Sequence, residues 1–427
     1  MPGAEYQTEV LVIGAGPGGS AAAWALAHAG HEVLLIDRAG FPRDKTCGDG
    51  LTPLAVRSLS QMGVLEQVES AGAARLDSVR LTGPFGMSIT APFTEFMEPG
   101  MRYALVLPRL TLDDILRRHA LAAGAAYMGG VHVERILRDD DMVSRVEADG
   151  PHGPLMFRAQ HVILAVGANI GLLAREGFVR RRRKMVLAAR GYYTNVSLTA
   201  KHYDFHFDLE LLPGYAWIFP TGDSSANIGA GVYPTFWASR KPARVLLDEF
   251  IGRQQARGEL AGVQLSGPVK GYPLRVDYPA ERVAGHNWLL VGEAAGLVNP
   301  VTGEGIDLAL ESGLMAAETL HESMRRGRSS HLAYQIRLWD RFGPLFNGLH
   351  AVRDTLVNPA LLDYVLWVMG QHRFLSKTIL RIAQGLQMPH DLLHPLALLQ
   401  FMIPLSPRFI WQELGRQRRP GQEAGRV

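Results

Sequence analysis

Residues 9–19 read Glu9-Val10-Leu11-Val12-Ile13-Gly14-Ala15-Gly16-Pro17-Gly18-Gly19. Glu9 to Ile13 is a compact, largely apolar run rich in β-branched residues, the pattern of a strand buried in a parallel sheet. A glycine-rich turn follows at once. The alanine-rich stretch from Ser20 predicts a helix that ends at Gly30. A second strand, Val33-Leu34-Leu35-Ile36, closes on Asp37-Arg38. Strand, GxGxxG turn, helix, strand and acid in this order predict a seat for a dinucleotide. Gly14 permits the tight turn, Gly16 lets the backbone approach a pyrophosphate, and Gly19 lets helix and strand pack closely. Ala15, Pro17 and Gly18 complete the turn, and the helix N-terminus offers amide hydrogens to the phosphates. Asp37, with Arg38 beside it, stands where a carboxylate grips ribose hydroxyls. That charge also repels a 2′-phosphate, which disfavours NADP at this position.

A second strand–turn–helix lies far along the chain. Asn287-Trp288-Leu289-Leu290-Val291 reads as a buried strand and leads into Gly292-Glu293-Ala294-Ala295-Gly296. Then come Asn299-Pro300-Val301-Thr302-Gly303-Glu304-Gly305-Ile306 and a periodic helix from Asp307 to His321. A long, extended cofactor uses both turns, and FAD is the expectation. Gly292 and Glu293 face its ribityl chain, and the backbone around Gly303, Glu304, Gly305 and Ile306 faces the flavin pyrimidine. Helix N-termini stabilise negative charge of the kind a reduced ring carries.

The 427 residues are 47% hydrophobic and 20% charged, an ordinary globular composition with material for two or three packed units. Cys47 is the one cysteine, so no internal disulfide and no metal-binding cysteine cluster is expected. The residues before the first strand are short and polar, and no secretory signal is read there. A cytoplasmic location is expected. The net charge of +3 hides two basic clusters, Arg180-Arg181-Arg182-Arg183-Lys184 and Arg416, Arg418 and Arg419. These read first as solvated loops and second as contacts for phosphate head groups; no nucleic-acid partner is expected. The greasiest stretch, Leu392 to Pro407, is interrupted by His394, Pro395 and Pro404, so no transmembrane span is read. The C-terminal segment from 326 is helical and apolar. It reads as a packed lid over its first helices and as a peripheral membrane contact over Leu396, Leu398, Leu399, Phe401, Met402 and Ile403.

Two further stretches carry a family resemblance. They are Phe41-Pro42-Arg43-Asp44-Lys45-Thr46-Cys47-Gly48-Asp49-Gly50-Leu51-Thr52-Pro53 and Gly214-Tyr215-Ala216-Trp217-Ile218-Phe219-Pro220 with Asn227-Ile228-Gly229-Ala230-Gly231. Together with both turns they resemble the geranylgeranyl reductase family, within the hydroxybenzoate-hydroxylase-like flavoproteins, over roughly residues 8 to 325. The resemblance implies that the loop carrying Cys47, Gly48 and Asp49 packs against the flavin and that Cys47 sits near the reaction centre. It implies that Arg109 contacts the ribityl or phosphate region and that Val133 passes the adenine. Tyr215, Trp217 and Phe219 alternate, so on a strand they share one face. The resemblance makes that face a wall of the substrate cavity. Two positions depart from the wider class. Glu293 stands where aspartate is usual, and Val166-Gly167 replaces the Asp-Gly of hydroxylases that use a pyridine nucleotide.

The expected architecture is α/β. A Rossmann-type FAD-binding domain (1–183 and 279–325) carries an inserted antiparallel substrate sheet (184–278), and a helical region (326–427) follows. The expected activity is reduction of a carbon–carbon double bond in a polyprenyl chain of a lipid or quinone, with NADPH or ferredoxin as candidate donors. The alternative is a flavin monooxygenase or epoxidase acting on a hydrophobic metabolite.

Overall fold

The computed structural model describes residues 4–180, 185–197, 201–234, 241–280, 282–327, 331–355, 357–394 and 397. Most of the basic run at 180–184, the terminal arginines and Leu396, Leu398, Leu399, Phe401, Met402 and Ile403 lie outside the described residues. Among the described residues no helix is long and apolar enough to cross a membrane.

Ala4–Ile13 lies in the parallel part of a seven-stranded mixed sheet, flanked by Val33–Asp37 on one side and Gly153–Leu164 on the other, and Met142–Gly150 and His132–Asp139 continue it antiparallel beyond Gly153–Leu164. Ala126–Gly129 extends one edge, and Trp288–Leu290 adds to Gly153–Leu164 in parallel. The late strand thus returns to the first sheet although about 120 residues separate it from its neighbour in sequence. Val10, Leu11, Val12, Leu35 and Leu164 are fully buried, as continuous β-branched and leucine-rich runs require when both faces are covered.

The helices that follow the two turns, Pro17–His28 and Ile306–Arg326, pack directly on each other. Glycine makes this approach possible. A Cβ on Gly313 would run into the carbonyl oxygen of Gly18, and one on Gly18 would stand 3.0 Å from that of Ala309. Both helix N-termini are thereby brought to one side of the sheet.

The second sheet runs in the order Gln264–Arg275, Met185–Thr194, Ser225–Val232, Tyr215–Pro220, His202–His206, Ser78–Thr82 and Ser88–Pro92. Its last two strands come from the stretch that the sequence reading places with the nucleotide half. Ser78–Thr82 pairs in parallel with His202–His206, which continues the sheet across the 183/184 division. Short alternating strands give no sequence signal of which sheet they will join. The C-terminal helix Pro359–Gln371 buries Leu362, Leu366 and Met369 in the same core as Trp217 and Phe219. The first C-terminal helices are therefore packed on the body.

Candidate active site

One cavity of about 480 Å³ joins the two glycine turns. Gly14, Gly16, Pro17, Gly18, Asp37 and Arg38 line it from the first turn, and Val133 borders it near Arg38. Gly292, Glu293, Gly303, Glu304, Gly305 and Ile306 line it from the second. Cys47, Gly48, Arg109, Tyr215, Trp217 and Phe219 complete the expected set.

Three expected residues stand behind this lining. Gly14 has φ +106°, and a Cβ there would strike the Ala165 carbonyl; a Cβ on Gly19 would in turn strike the carbonyl of Gly14. Gly19 is a packing requirement of the turn. Ala15 donates its amide to Asp37 Oδ2 at 2.7 Å, and Ala39 donates to Oδ1 at 2.9 Å. Asp37 is thus oriented by backbone while still bordering the cavity. Asp49, expected at the cofactor, is fully buried outside the lining. Its Oδ1 accepts the Arg109 amide, and Oδ2 accepts the Tyr192 hydroxyl at 2.6 Å and Asn227 Nδ2 at 2.8 Å. Burial outweighs these donors and pushes its carboxyl up to about 6. Asp49 ties the loop to the second sheet, because its left-handed backbone (φ +64°) turns the side chain away from the cavity.

Gly16 is flanked by two guanidinium groups: a Cβ there would lie 3.8 Å from Arg43 Nη2 and 3.9 Å from Arg109 Nη2. Asp113 holds both, at 2.8 Å from Arg43 and 2.5 Å from Arg109. The sequence motif alone gives Arg43 no role. The residue's place beside Gly16 follows from the fold of the loop. Across the cavity Lys45 pairs with Glu293 at 3.2 Å, and the Arg275 amide donates to the other Glu293 oxygen at 3.1 Å.

The loop meets the second sheet face to face. A Cβ on Gly48 would stand 3.1 Å from the Phe219 ring and 3.3 Å from Trp217 Nε1. Trp217 donates to Asn227 Oδ1 at 3.0 Å, and Asn227 donates to the Cys47 carbonyl at 2.8 Å. Arg190, 1% exposed, donates to Asp44 at 2.7 Å and to the carbonyls of Lys45 and Cys47. The neighbouring strand adds two rings that the sequence reading left as plain sheet. Tyr203 stacks on Phe219 with centroids 4.2 Å apart, and Phe205 lies 5.1 Å from Tyr215. Their signal was present: Tyr203, Phe205 and Phe207 alternate just as Tyr215, Trp217 and Phe219 do. His206, on the same strand as Tyr203, is buried beside Asp204 at 3.1 Å.

Two family models match in succession, an FAD binding domain over residues 7–184 and a geranylgeranyl reductase catalytic domain over residues 185–267. Menaquinone reductase of Mycobacterium tuberculosis (strain H37Rv) is 36% identical over 369 residues, which cover 83% of this chain and 85% of that protein. The chain belongs to the geranylgeranyl reductase family. Digeranylgeranylglycerophospholipid reductase 1 of Methanopyrus kandleri is 33% identical to this reductase over 367 residues, 84% of the chain and 92% of the relative. The fold is shared with the crystal structure of a geranylgeranyl bacteriochlorophyll reductase-like protein from Thermoplasma acidophilum. There the TM-score is 0.76 and the identity 23%, with 96% of this chain and 99% of that chain covered.

The reductase is a flavoprotein, and FAD is its cofactor. The residues present fit it. The side-chain-free approach at Gly16 lies between two guanidinium groups, where a pyrophosphate needs positive charge and close backbone. Asp37 stands at the strand end where ribose hydroxyls are held, and the second turn closes the other end of the same cavity.

Proposed function

We propose that this FAD-dependent oxidoreductase saturates a double bond in the polyprenyl tail of a membrane quinone. One observation supports this most. The cofactor cradle and an uninterrupted aromatic wall of Tyr203, Phe205, Tyr215, Trp217 and Phe219 border a single cavity. A flexible isoprenoid chain offers only apolar surface, and flat rings match it without asking for hydrogen bonds.

In this reading Gly16, Arg43 and Arg109 hold the pyrophosphate, and Asp37 holds the ribose with Val133 near the adenine. Glu293, fixed by Lys45 and the Arg275 amide, faces the ribityl chain. The backbone of Gly303 to Ile306 faces the pyrimidine. FAD, once reduced, supplies the hydride for the alkene. An isolated alkene accepts hydride poorly unless protonation of one carbon lets positive charge develop at the neighbour that takes the hydride. The faces of Tyr215, Trp217 and Phe219 stabilise such charge by cation–π attraction, worth about 2 kcal/mol where water is excluded. In this reading Cys47, in the loop that lies on this wall, acts at the reaction centre with them. Substrates of this kind reside in bilayers, so the reading includes contact with a membrane surface during substrate uptake.

The test is direct. The purified flavoprotein is reduced anaerobically with dithionite, NADPH or reduced ferredoxin and mixed with menaquinones, prenyl diphosphates or prenylated glycerolipids. Mass spectrometry should find the quinone tail heavier by two hydrogens, with bound flavin reoxidised in proportion. A product heavier by one oxygen, formed in air, would point to oxygenation and overturn the reading. Preference for a lipid or diphosphate would move the substrate class.

A further inference from the structure

We infer that Glu304 is the proton donor to the alkene carbon that does not receive hydride, an assignment that rests on the polyprenyl reading above. Glu304 stands where the second turn meets the aromatic wall. The Tyr215 hydroxyl donates to the carbonyl of Thr302, and Glu304, Tyr203 and Tyr215 border the same cavity. Its Oε2 accepts Thr302 Oγ1 at 2.9 Å and Gln384 Nε2 at 3.5 Å. Its Oε1 is sealed from solvent and has no hydrogen-bond partner among the described residues. A buried polar atom left unanswered needs a reason; the residue borders the cavity, and a turn of its side chain toward the aromatic wall is what would bring that oxygen to a reactant.

The surroundings keep the proton on. From its own turn the carboxyl meets Thr302, and from the end of the helix Arg373–Ala383 it meets Gln384. From the second sheet it meets Tyr203 and Tyr215, and from the following helix Asp307. Thr52 donates to Asp307 at 3.1 Å, and Glu311, beyond it, is already paired with Arg341 at 2.6 Å. Among the described residues, none of the groups that act on Glu304 is a cation. Burial, with the Asp307 carboxyl beside it, pushes the Glu304 carboxyl up to about 8; burial raises Asp307 as well, and the two titrate as a pair. The acid therefore still carries its proton at neutral pH, the condition general acid catalysis needs.

The step balances. The π bond breaks, and one carbon takes the hydride that the reduced cofactor supplies. The other forms a C–H bond with the Glu304 proton, and the O–H electron pair stays on the carboxylate. The alkene is reduced, the cofactor is left oxidised, and the carboxylate regains a proton from solvent after product leaves. Cys47 borders the same cavity and competes for this role, so the experiment must separate the two.

The FAD-loaded full chain carrying Glu304→Gln should keep its flavin absorbance and its KM for a polyprenyl quinone while kcat falls about 100-fold or more. Wild-type kcat should decline as pH rises through about 8, and the residual rate of the variant should be flat there. Infrared difference spectra do not depend on turnover. They should show a protonated-carboxyl band in the wild type that fades over the same pH range and is missing from the variant. Glu304→Asp should recover part of the rate together with the alkaline decline. A Glu304→Gln enzyme within about threefold of wild type, its alkaline decline intact, overturns the assignment. So does loss of that decline in Cys47→Ser with its retention in Glu304→Gln, which gives the proton to the thiol. A wild-type enzyme that reduces no polyprenyl compound while its flavin still cycles overturns the substrate reading and the donor role together. That outcome is distinct from a Gln variant that works.

Discussion

The loop at 41–50 and the turn at 299–306 both press on the cofactor cavity, and both carry a buried acid next to family motifs. They differ in how their polar groups are answered. In the loop, Asp44 meets Arg190 and Lys270, Lys45 meets Glu293, the Cys47 carbonyl takes Arg190 and Asn227, and Asp49 takes three donors. In the turn, Asn299 Oδ1 accepts the amides of Val301 and Thr302, yet Glu304 keeps one oxygen without a partner. The many bonds mark the loop as frame, since each fixes a backbone position; Arg43 Nη1 is its exception, meeting Asp113 as an ion pair at 2.8 Å without a hydrogen bond. Among the described residues the Glu304 oxygen has neither kind of partner, which sets the turn apart from the loop.

The largest effect should come from breaking the frame. Arg190 is almost fully buried and joins Asp44 to two loop carbonyls. Arg190→Met keeps the bulk but takes one donor from each of those acceptors, and removing one partner of a buried pair costs about 3–5 kcal/mol. Lys270 still offsets part of the Asp44 charge. Thermal unfolding should shift strongly downward and the purified variant should lose flavin absorbance. A variant that keeps both would mean that the loop is held some other way.

The same kind of change in the turn should behave differently. In the folded chain Glu304 stays neutral up to about 8, whereas an unfolded glutamate ionises near 4.5. Between those values the native state binds more protons, so stability falls as pH rises. The contribution is fully present below the lower value and lost above the higher one. Glu304→Gln cannot ionise. Denaturant midpoints should therefore fall with pH in the wild type across that window and fall less in the variant, which should be at least as stable by pH 8. Parallel curves would place Glu304 in a solvated, ordinary environment.

The frame was far more legible in the sequence than the chemistry. Gly14 and Gly19 announce themselves because the demand for a missing Cβ is local to one turn. Asp37 follows because strand length fixes where the strand ends. Tyr215, Trp217 and Phe219 share a face by period alone, and Tyr203 and Phe205 were equally readable on the next strand. Other features depend on contacts between distant segments. Gly313 matters only because Gly18 lies against it, and Arg190 only because the loop folds onto its strand. Ser88–Pro92 pairs with nearby Ser78–Thr82, and that strand joins the second sheet through His202–His206, more than about a hundred residues away. Asp49 looked like a cofactor ligand because the motif is dense there, but a left-handed backbone turned it inward. Glu304 was read for its backbone; burial without a counter-charge is not written in spacing.

Asp49 gives a narrower version of the same pH test. Burial raises its carboxyl from 3.8 to about 6, so its share of stability is fully present below 3.8 and fades as pH rises through about 6. Asn tolerates the left-handed backbone that Asp49 adopts. Asp49→Asn should remove the pH slope of the unfolding midpoint between about 4 and 6 while leaving the alkaline decline of kcat untouched. A variant that altered that decline would mean that the two acids act as one unit, and the contrast between frame and turn would fail.

The smallest expected change in stability lies at the seam between the two regions. Trp217→Phe keeps a ring on the wall but removes the donor to Asn227, the residue that grips both Cys47 and Asp49. One hydrogen bond of this kind contributes about 1 kcal/mol, with more lost if the Asn227 oxygen stays buried and unpaired. FAD should remain bound, because Arg43, Arg109 and the first turn are untouched. Turnover should fall by more than stability alone accounts for, since both the loop position and the wall change at the point where they touch. If kcat and the unfolding midpoint stay at wild-type values, Trp217 is only a packing residue and the seam carries no catalytic geometry.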